Sequence, residues 1–286
     1  MKETKTSPIW KELTKAINES PDPLDRSTLL YLVRLRDTYQ KDRLAAEAIL
    51  RSTGRCEWML QPIAKMHHDS EKQIEKLYAA LCKRDPVCEW STSIMGIGPV
   101  FALTLRAHID ISMCNFAGRI WKFAGITPDT KKPKRGEKRS YNQDLKNIVF
   151  LIAESFKKLS NNPRSFYGYA YKMRKAYEVS KNEAGDLANE AQRALSEKDF
   201  SRKTTIARKC YESGRLPPGH LDKRAMRWVG KLFLAHWHEV AYQHHFGKEP
   251  PLPYVIAIKG HKDHIRASDV LEFESGACES VKMKVG

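Results

Sequence analysis

Three groups of residues in this 286-residue chain have the types and spacing to handle phosphate. The first is Ser93-Ile94-Met95-Gly96-Ile97-Gly98-Pro99, followed by Ala102 and Leu105 at helical spacing. Glycines on both sides of Ile97 permit a tight reversal between two helices, because they adopt positive φ without a Cβ penalty. Pro99 suits the first turn of the second helix. The unpaired N–H groups of that turn, with the positive end of the helix dipole, form an anion site, so Gly96 and Gly98 mark a candidate phosphate-binding helix-hairpin-helix. The second group is Lys131, Lys132, Lys134, Arg135, Lys138 and Arg139, with Glu137 the only acid among them. Like charges at this density repel, which predicts a loop that settles when a polyanion arrives. The third is a helix from about Asp222, on which Arg224, Arg227, Lys231 and His238 fall opposite a stripe of Met226, Val229, Phe233, Trp237, Val240 and Ala241. Such a basic face can lie along a phosphate backbone. Each group has a plainer alternative: an ordinary interhelical turn, a solvated loop, and the solvated face of a core helix.

Composition favours the phosphate interpretation. The chain carries 50 Lys+Arg against 34 Asp+Glu, a formal net charge of +16, so an anionic partner is expected. DNA or structured RNA fits better than a membrane, since no run of 18 apolar residues occurs and the N-terminal residues lack the apolar core of a signal peptide. A cytoplasmic location follows as an expectation. The six cysteines form no C-x-x-C pair, which argues against a disulfide framework and a cysteine zinc site. Seven of the ten histidines lie between His220 and His264, but none forms an H-E-x-x-H motif, and His261 and His264 alone stand three apart, so no metal site is expected.

The elements that must position these groups read as helices. Ile9, Trp10, Leu13, Ala16 and Ile17 predict a short amphipathic helix ended near Pro21 and Pro23. Residues 25 to 83 read as a helical hairpin or dimerising arm. Its second helix carries Ile63, His67, Ser70, Ile74, Leu77 and Leu81 at coiled-coil spacing. Ser140-Tyr-Asn-Gln143 reads as a capping box for a helix whose stripe is Leu145, Ile148, Val149, Ile152, Phe156 and Leu159. Farther on, Phe166, Tyr169, Ala170, Met173 and Tyr177 predict a core face. Tyr167, Tyr171, Arg174 and Lys175 share another face suited to stacking on bases or gripping phosphates. Residues 181 to 216 read as a charged helical linker, and Pro250 to Ile258 as one extended strand.

The run Ile94-Met-Gly96-Ile-Gly98-Pro99, then Phe116-Ala-Gly118 through Phe123-Ala-Gly125-Ile126-Thr127-Pro128, a basic loop, and Asn142-Gln-Asp-Leu145-Lys146 resembles the C-terminal domain of the bridge-RNA-guided insertion-sequence transposases. The resemblance covers residues 91 to 155 and rests on the order and spacing of pieces that are individually short. It implies a nucleic-acid-binding domain of transposition machinery, with Lys146 in the basic helix start. Two departures accompany it. The family's RNase-H-like domain, whose acidic residues bind metal, has no recognisable counterpart in the ninety residues before the hairpin. The family's serine nucleophile would fall where this chain reads Lys131-Lys132-Pro133-Lys134. Ser140 is the nearest hydroxyl, and as a capping residue its oxygen would be needed for a backbone N–H.

The expected fold is mainly α. It comprises a helical N-terminal arm at 1–90, a helix-hairpin-helix transposase-like domain at 91–180, a linker at 181–216, and a C-terminal helical module at 217–286 with one extended strand. The expected function is DNA or RNA binding in mobile-element recombination or its regulation, without complete catalytic machinery. No cofactor is expected, and Mg²⁺ only if catalysis is retained. The alternative is a non-catalytic, element-encoded protein that binds RNA or another protein. Homo-oligomerisation through the N-terminal arm is the remaining expectation.

Overall fold

Leu29, Val33 and Ala46 along one side of a 28-residue segment give helix α2, Arg26–Thr53, its buried seam. The Asp25 carboxylate caps it by accepting the Thr28 N–H at 2.8 Å, and Gly54, at φ +59°, ends it with an N–H to the Leu50 carbonyl. The computed structural model describes residues 8–19, 25–130, 133–197, 205–251 and 265–276. Before α2 comes α1, Pro8–Glu19; after it α3, Glu57–Cys82, returns alongside to complete the expected hairpin. The polar tie between the two long helices is Glu71, which is almost fully buried. Its carboxylate accepts from Arg36 at 2.9 Å, Gln40 at 3.1 Å and Arg43 at 2.9 Å, so its burial is compensated by two cations. The Tyr78 hydroxyl donates to the Leu32 carbonyl at 2.8 Å.

Helices α4, Pro86–Ser93, and α5, Pro99–His108, follow, with a single 3-10 turn at Ile111–Met113. Asp85 serves both helices: its carboxylate accepts the Val87 and Cys88 N–H groups at the start of α4 and the Arg106 side chain of α5. Near-continuous burial from Ala102 to Leu105 makes α5 the interior element against which α2 and α3 pack.

The chain divides into two compact units. The first holds α1 to α5 through Cys114, together with residues 244–247. The second holds Ile94–Gly96, residues 115–243 and the chain from Lys248 on.

In the second unit, α6 is Ala117–Phe123, α7 Gln143–Lys158, α8 Phe166–Glu183, α9 Ala188–Glu197, α10 Ile206–Glu212, α11 Pro218–Phe246, apart from its last three residues, and α12 Ala267–Ser275. Its core is an aromatic cluster. Phe156 stacks on Tyr167 with centroids 4.5 Å apart, and both meet Phe233 edge-on. Helix α11 approaches α7 closely at Gly230, where a Cβ would lie 3.1 Å from Val149 Cγ1. Helix α12 adds Val270 and Phe273, the latter edge-on to Phe166 at 5.6 Å.

Every regular element among the described residues is helical, in keeping with the mainly α expectation. The expected strand at Pro250 to Ile258 falls mostly on residues 252–264, outside the described residues. Residues 181–216, read as a linker, instead carry α9 and α10 around a small core of Leu187, Ala191, Ala194, Tyr211, Leu216 and Leu221. Weak apolar spacing concealed this core because alanines supply a third of it. No described helix is long and apolar enough to cross a membrane.

Candidate nucleic-acid interface

The reversal at Gly96 has the expected local geometry. Gly96 lies at φ +94°, in the region that disfavours a side chain, and Gly98 is extended at φ −96°, ψ 172° as the residue before α5. Pro99 opens α5, and no side chain caps that helix start. The preceding turn, however, is already engaged by the fold. The Met95 N–H donates to Glu274 Oε2 at 2.8 Å, and the Gly96 carbonyl accepts the Ser155 hydroxyl at 2.8 Å. A Cβ at Gly96 would come within 2.9 Å of both Leu159 Cδ1 and Ser155 Oγ. Glu274 also accepts the Phe166 N–H at the start of α8, at 3.1 Å. Burial raises the pKa of this carboxyl against the pull of those two N–H donors. Glu274 thus holds the backbone before the reversal from within the fold, while the first-turn N–H groups of α5, the ones the sequence offered to a phosphate, have no side-chain cap. Nothing in the local sequence pointed to Glu274, 179 residues away from Met95.

From α6 the chain runs through a strap to α7. Phe123 O accepts the Asn142 N–H at 2.8 Å, so both ends of the strap are tied together. Gly125, at φ +62°, lets the Tyr141 ring lie against its backbone, where a Cβ would stand 2.5 Å from the ring. Lys146 sits over the same ring, 4.3 Å from its centroid. Within the strap, Lys134, Arg135, Lys138 and Arg139 are all exposed. A turn holds them, with Glu137 accepting the Lys134 N–H and Gly136 at φ +89°. Lys131 and Lys132 lie outside the described residues.

Ser140 does not begin the next helix. The N-cap of α7 is Asn142, whose side chain accepts the Leu145 N–H at 2.9 Å, because its own N–H is fixed to Phe123 and places it at the helix entrance. The expected capping box is therefore corrected by two residues, and Ser140 is an exposed residue of the strap.

Helix α11 separates the three cations assigned to its basic face. Arg224 turns inward: it pairs with Glu178 at 2.7 Å and with Glu190, while Glu178, almost wholly buried, also holds Arg174. Its charge is compensated within the fold, which a helical wheel cannot reveal. Lys223 and Arg227 are exposed and Lys231 is half-buried, each four residues from the next along one stripe. Lys223 lies 4.1 Å from the centroid of the half-exposed Phe150 ring, and Lys231 lies over Trp121 at 5.5 Å. The Trp121 Nε1–H donates to the Lys231 carbonyl at 3.1 Å, which fixes the indole beside the stripe. Burial, and then the neighbouring Arg227 charge, lower the Lys231 pKa, with Asp129 the only opposing group. Near α6, Arg119 stacks over the exposed Phe116 at 5.6 Å. Sequence reasoning named Arg227 and Lys231 but neither Lys223 nor Arg119, and it missed the aromatic partners: Phe150 and Trp121 meet Lys223 and Lys231 across separate helices, while Phe116 stands three residues before Arg119.

The face of α8 expected to stack on bases is mostly interior. Tyr167 is fully buried, its hydroxyl paired with His236 Nδ1 at 2.8 Å, while His236 Nε2 meets the Ile265 carbonyl at 3.1 Å. Tyr171 is buried with its hydroxyl on Asp222. Tyr177, expected in the core, is half exposed under Arg174. The buried side of α8 takes in Phe166 and Ala170 as expected and Tyr167 and Tyr171 besides, with Tyr167 packed on Phe156 and Phe233. Lys175 and Lys157 converge on Asp222 at 3.2 and 2.6 Å. Burial disfavours the Asp222 charge, but Lys157, Tyr171 and Lys175 outweigh it and hold the pKa at about 2. His238, placed on the basic face by spacing, is buried beside Tyr242. Among the described residues no three His, Cys, Asp or Glu side chains converge on a point that could hold a metal. His261 and His264 lie outside those residues.

No protein-family model, curated protein or solved structure matches this chain.

Proposed function

We propose that this protein binds nucleic acid through the second unit, in the manner its resemblance to bridge-RNA-guided transposases implies, and acts in or regulates mobile-element recombination. The observation that carries the reading is the stripe Lys223, Arg227 and Lys231 on α11, three cations four residues apart bordered by Trp121 and Phe150, in which burial and the Arg227 charge both disfavour the charge of Lys231. Within one protein such crowding is unfavourable; a phosphate backbone supplies the missing counter-charge. The exposed strap cations Lys134, Arg135, Lys138 and Arg139 support the same reading. Arg224 is left out of the interface because two glutamates already neutralise it.

The proposal assigns binding and positioning to this chain. It assigns no bond-breaking step, since the position of the family's nucleophile is a lysine run and Ser140 lies in the strap without the cap that predicted its geometry.

The test begins with the nucleic acid that copurifies with the full chain and measures its affinity across a salt series. A defined DNA or RNA species whose affinity falls steeply with salt supports the proposal. Binding that ignores salt, or no binding to DNA or RNA at all, overturns it. In a strain carrying the parent element, excision or insertion that falls when the Arg227→Glu/Lys231→Glu variant replaces the wild type ties the binding to recombination.

A further inference from the structure

A cavity of about 540 Å³ opens in the second unit between the C-terminal end of α7 and the exposed side of α8, within the roughly 300–1,000 Å³ of small-molecule sites. Its lining changes character along α8. Lys172 and Lys175 stand at one end with Lys157 of α7, Ala176 and Val179 make the middle, and Glu183 stands at the other end, about 16 Å of helix beyond Lys172. The cations are held in place. Lys157 and Lys175 both meet the Asp222 carboxylate, at 2.6 and 3.2 Å, and their side chains stay 42% exposed. One carboxylate cannot neutralise two ammonium groups, so one charge is left over. Lys172, exposed and without an ion pair among the described residues, adds a second. The Tyr171 hydroxyl donates to the same carboxylate, which fixes Asp222 and with it both ammonium groups at the cavity. The last-turn carbonyls of α7, which would repel an anion, already accept N–H groups: those of Ser155 and Phe156 from Leu159, that of Lys157 from Ser160.

We infer that this cavity binds a nucleotide by its phosphomonoester. That group carries about −1.5 to −2 at neutral pH, against a single charge on an internal phosphodiester, so it matches the surplus at the lysine end. The nucleoside lies on Ala176 and Val179, where the Ser180 hydroxyl and the Glu183 carboxylate are placed to meet its sugar hydroxyls and base amino group. This chemistry has two sources, a free mononucleotide and the phosphorylated end of a strand, and position favours the second. Lys157 stands about two turns after Phe150 on α7, and Asp222 directly precedes Lys223 on α11, so the cavity continues the stripe of Lys223, Arg227 and Lys231. In that form the inference rests on the nucleic-acid reading: the stripe holds internal phosphates and the cavity the terminal one.

The experiment is fluorescence anisotropy on the full chain with one internally labelled single strand ending in a 5′-phosphate, in a 3′-phosphate, or in hydroxyls only. Calorimetry with adenosine 5′-monophosphate reads the cavity alone. The wild type is expected to bind one of the phosphorylated ends at least about 10-fold tighter than the hydroxyl-ended strand, the increment of one charge-assisted contact. Lys172→Glu reverses an exposed charge, and Ala176→Trp fills the cavity from an exposed position. Each is expected to bring the ratio to within about twofold while the hydroxyl-ended strand keeps its salt-dependent affinity. Arg227→Glu/Lys231→Glu is expected to weaken all three strands and keep the ratio. Mononucleotide binding that both cavity variants abolish, with no preference among strand ends, supports the cavity and assigns it the free nucleotide. Absence of both an end preference and mononucleotide binding overturns the inference, as does a preference that survives either cavity variant. The two readings fail separately. A chain that binds the mononucleotide but no strand sinks the nucleic-acid reading and leaves the cavity standing; salt-dependent binding of all three strands alike, with no mononucleotide binding, does the reverse.

Discussion

Neutralising the strap gives the sharpest test of the proposed interface. Lys134, Arg135, Lys138 and Arg139 are exposed, and the one acid in their turn, Glu137, is engaged with the Lys134 backbone. Replacing all four by glutamine removes charge without touching the Phe123 to Asn142 tie or the Tyr141 packing that anchor the strap. With Lys146, Lys223, Arg227 and Lys231 the strap brings the interface to eight cations, which predicts a log–log salt slope of roughly −7 for duplex DNA and a loss of about 10⁴ in affinity between 50 and 200 mM salt. The glutamine variant is expected to show a slope of roughly −3.5 and a loss of only about 10² over the same range. Fluorescence anisotropy with one labelled duplex at five salt concentrations reads both slopes. An unchanged slope would refute the assignment of the strap to phosphate contacts, even if absolute affinity fell.

Three further outcomes follow from the packing. Gly168→Ala is expected to destabilise the second unit by about 3 kcal/mol or more in denaturant titration, since its Cβ would lie 2.4 Å from the Leu159 carbonyl oxygen, a backbone atom that cannot move aside cheaply. Glu178→Gln should lower the thermal midpoint by several degrees, because Arg174 and Arg224 lose the carboxylate that compensates their partial burial; an unchanged midpoint would mean that Glu190 and solvent suffice for both. The Asp222 pKa is depressed to about 2 from 3.8, so its contribution to stability is fully present above pH 3.8 and is lost as pH falls toward 2. In acid unfolding followed by circular dichroism, Asp222→Asn should accordingly be less stable than the wild type near pH 6 and converge with it near pH 2.

Much of the fold could be read from periodicity, because helix formation responds to local spacing. The hairpin of α2 and α3, the reversal at Gly96 and the stripe of α7 all rest on residues within one or two turns of each other. The site was legible only in part. Clustered lysines are visible in one dimension, but whether a charge is free depends on partners far along the chain. Arg224 and Arg227 look equivalent on a wheel, yet Glu178 and Glu190 claim the first and leave the second on the surface.

Tertiary structure also decided which aromatics belong to the core. Tyr167 was drawn inward by Phe156 and Phe233, while Trp121 and Phe150 were brought beside lysines of α11 over more than 70 residues of sequence. By itself the sequence determined a basic, helical chain with a glycine reversal and a cationic strap, since charge, helical period and glycine's freedom at positive φ are properties of short segments. Only the folded chain decided which backbone groups and charges are left for a partner. Desolvation penalises every unpaired polar group that is buried, so the fold took the Met95 N–H with Glu274 and the Arg224 guanidinium with Glu178, and the surface kept what no internal group could reach.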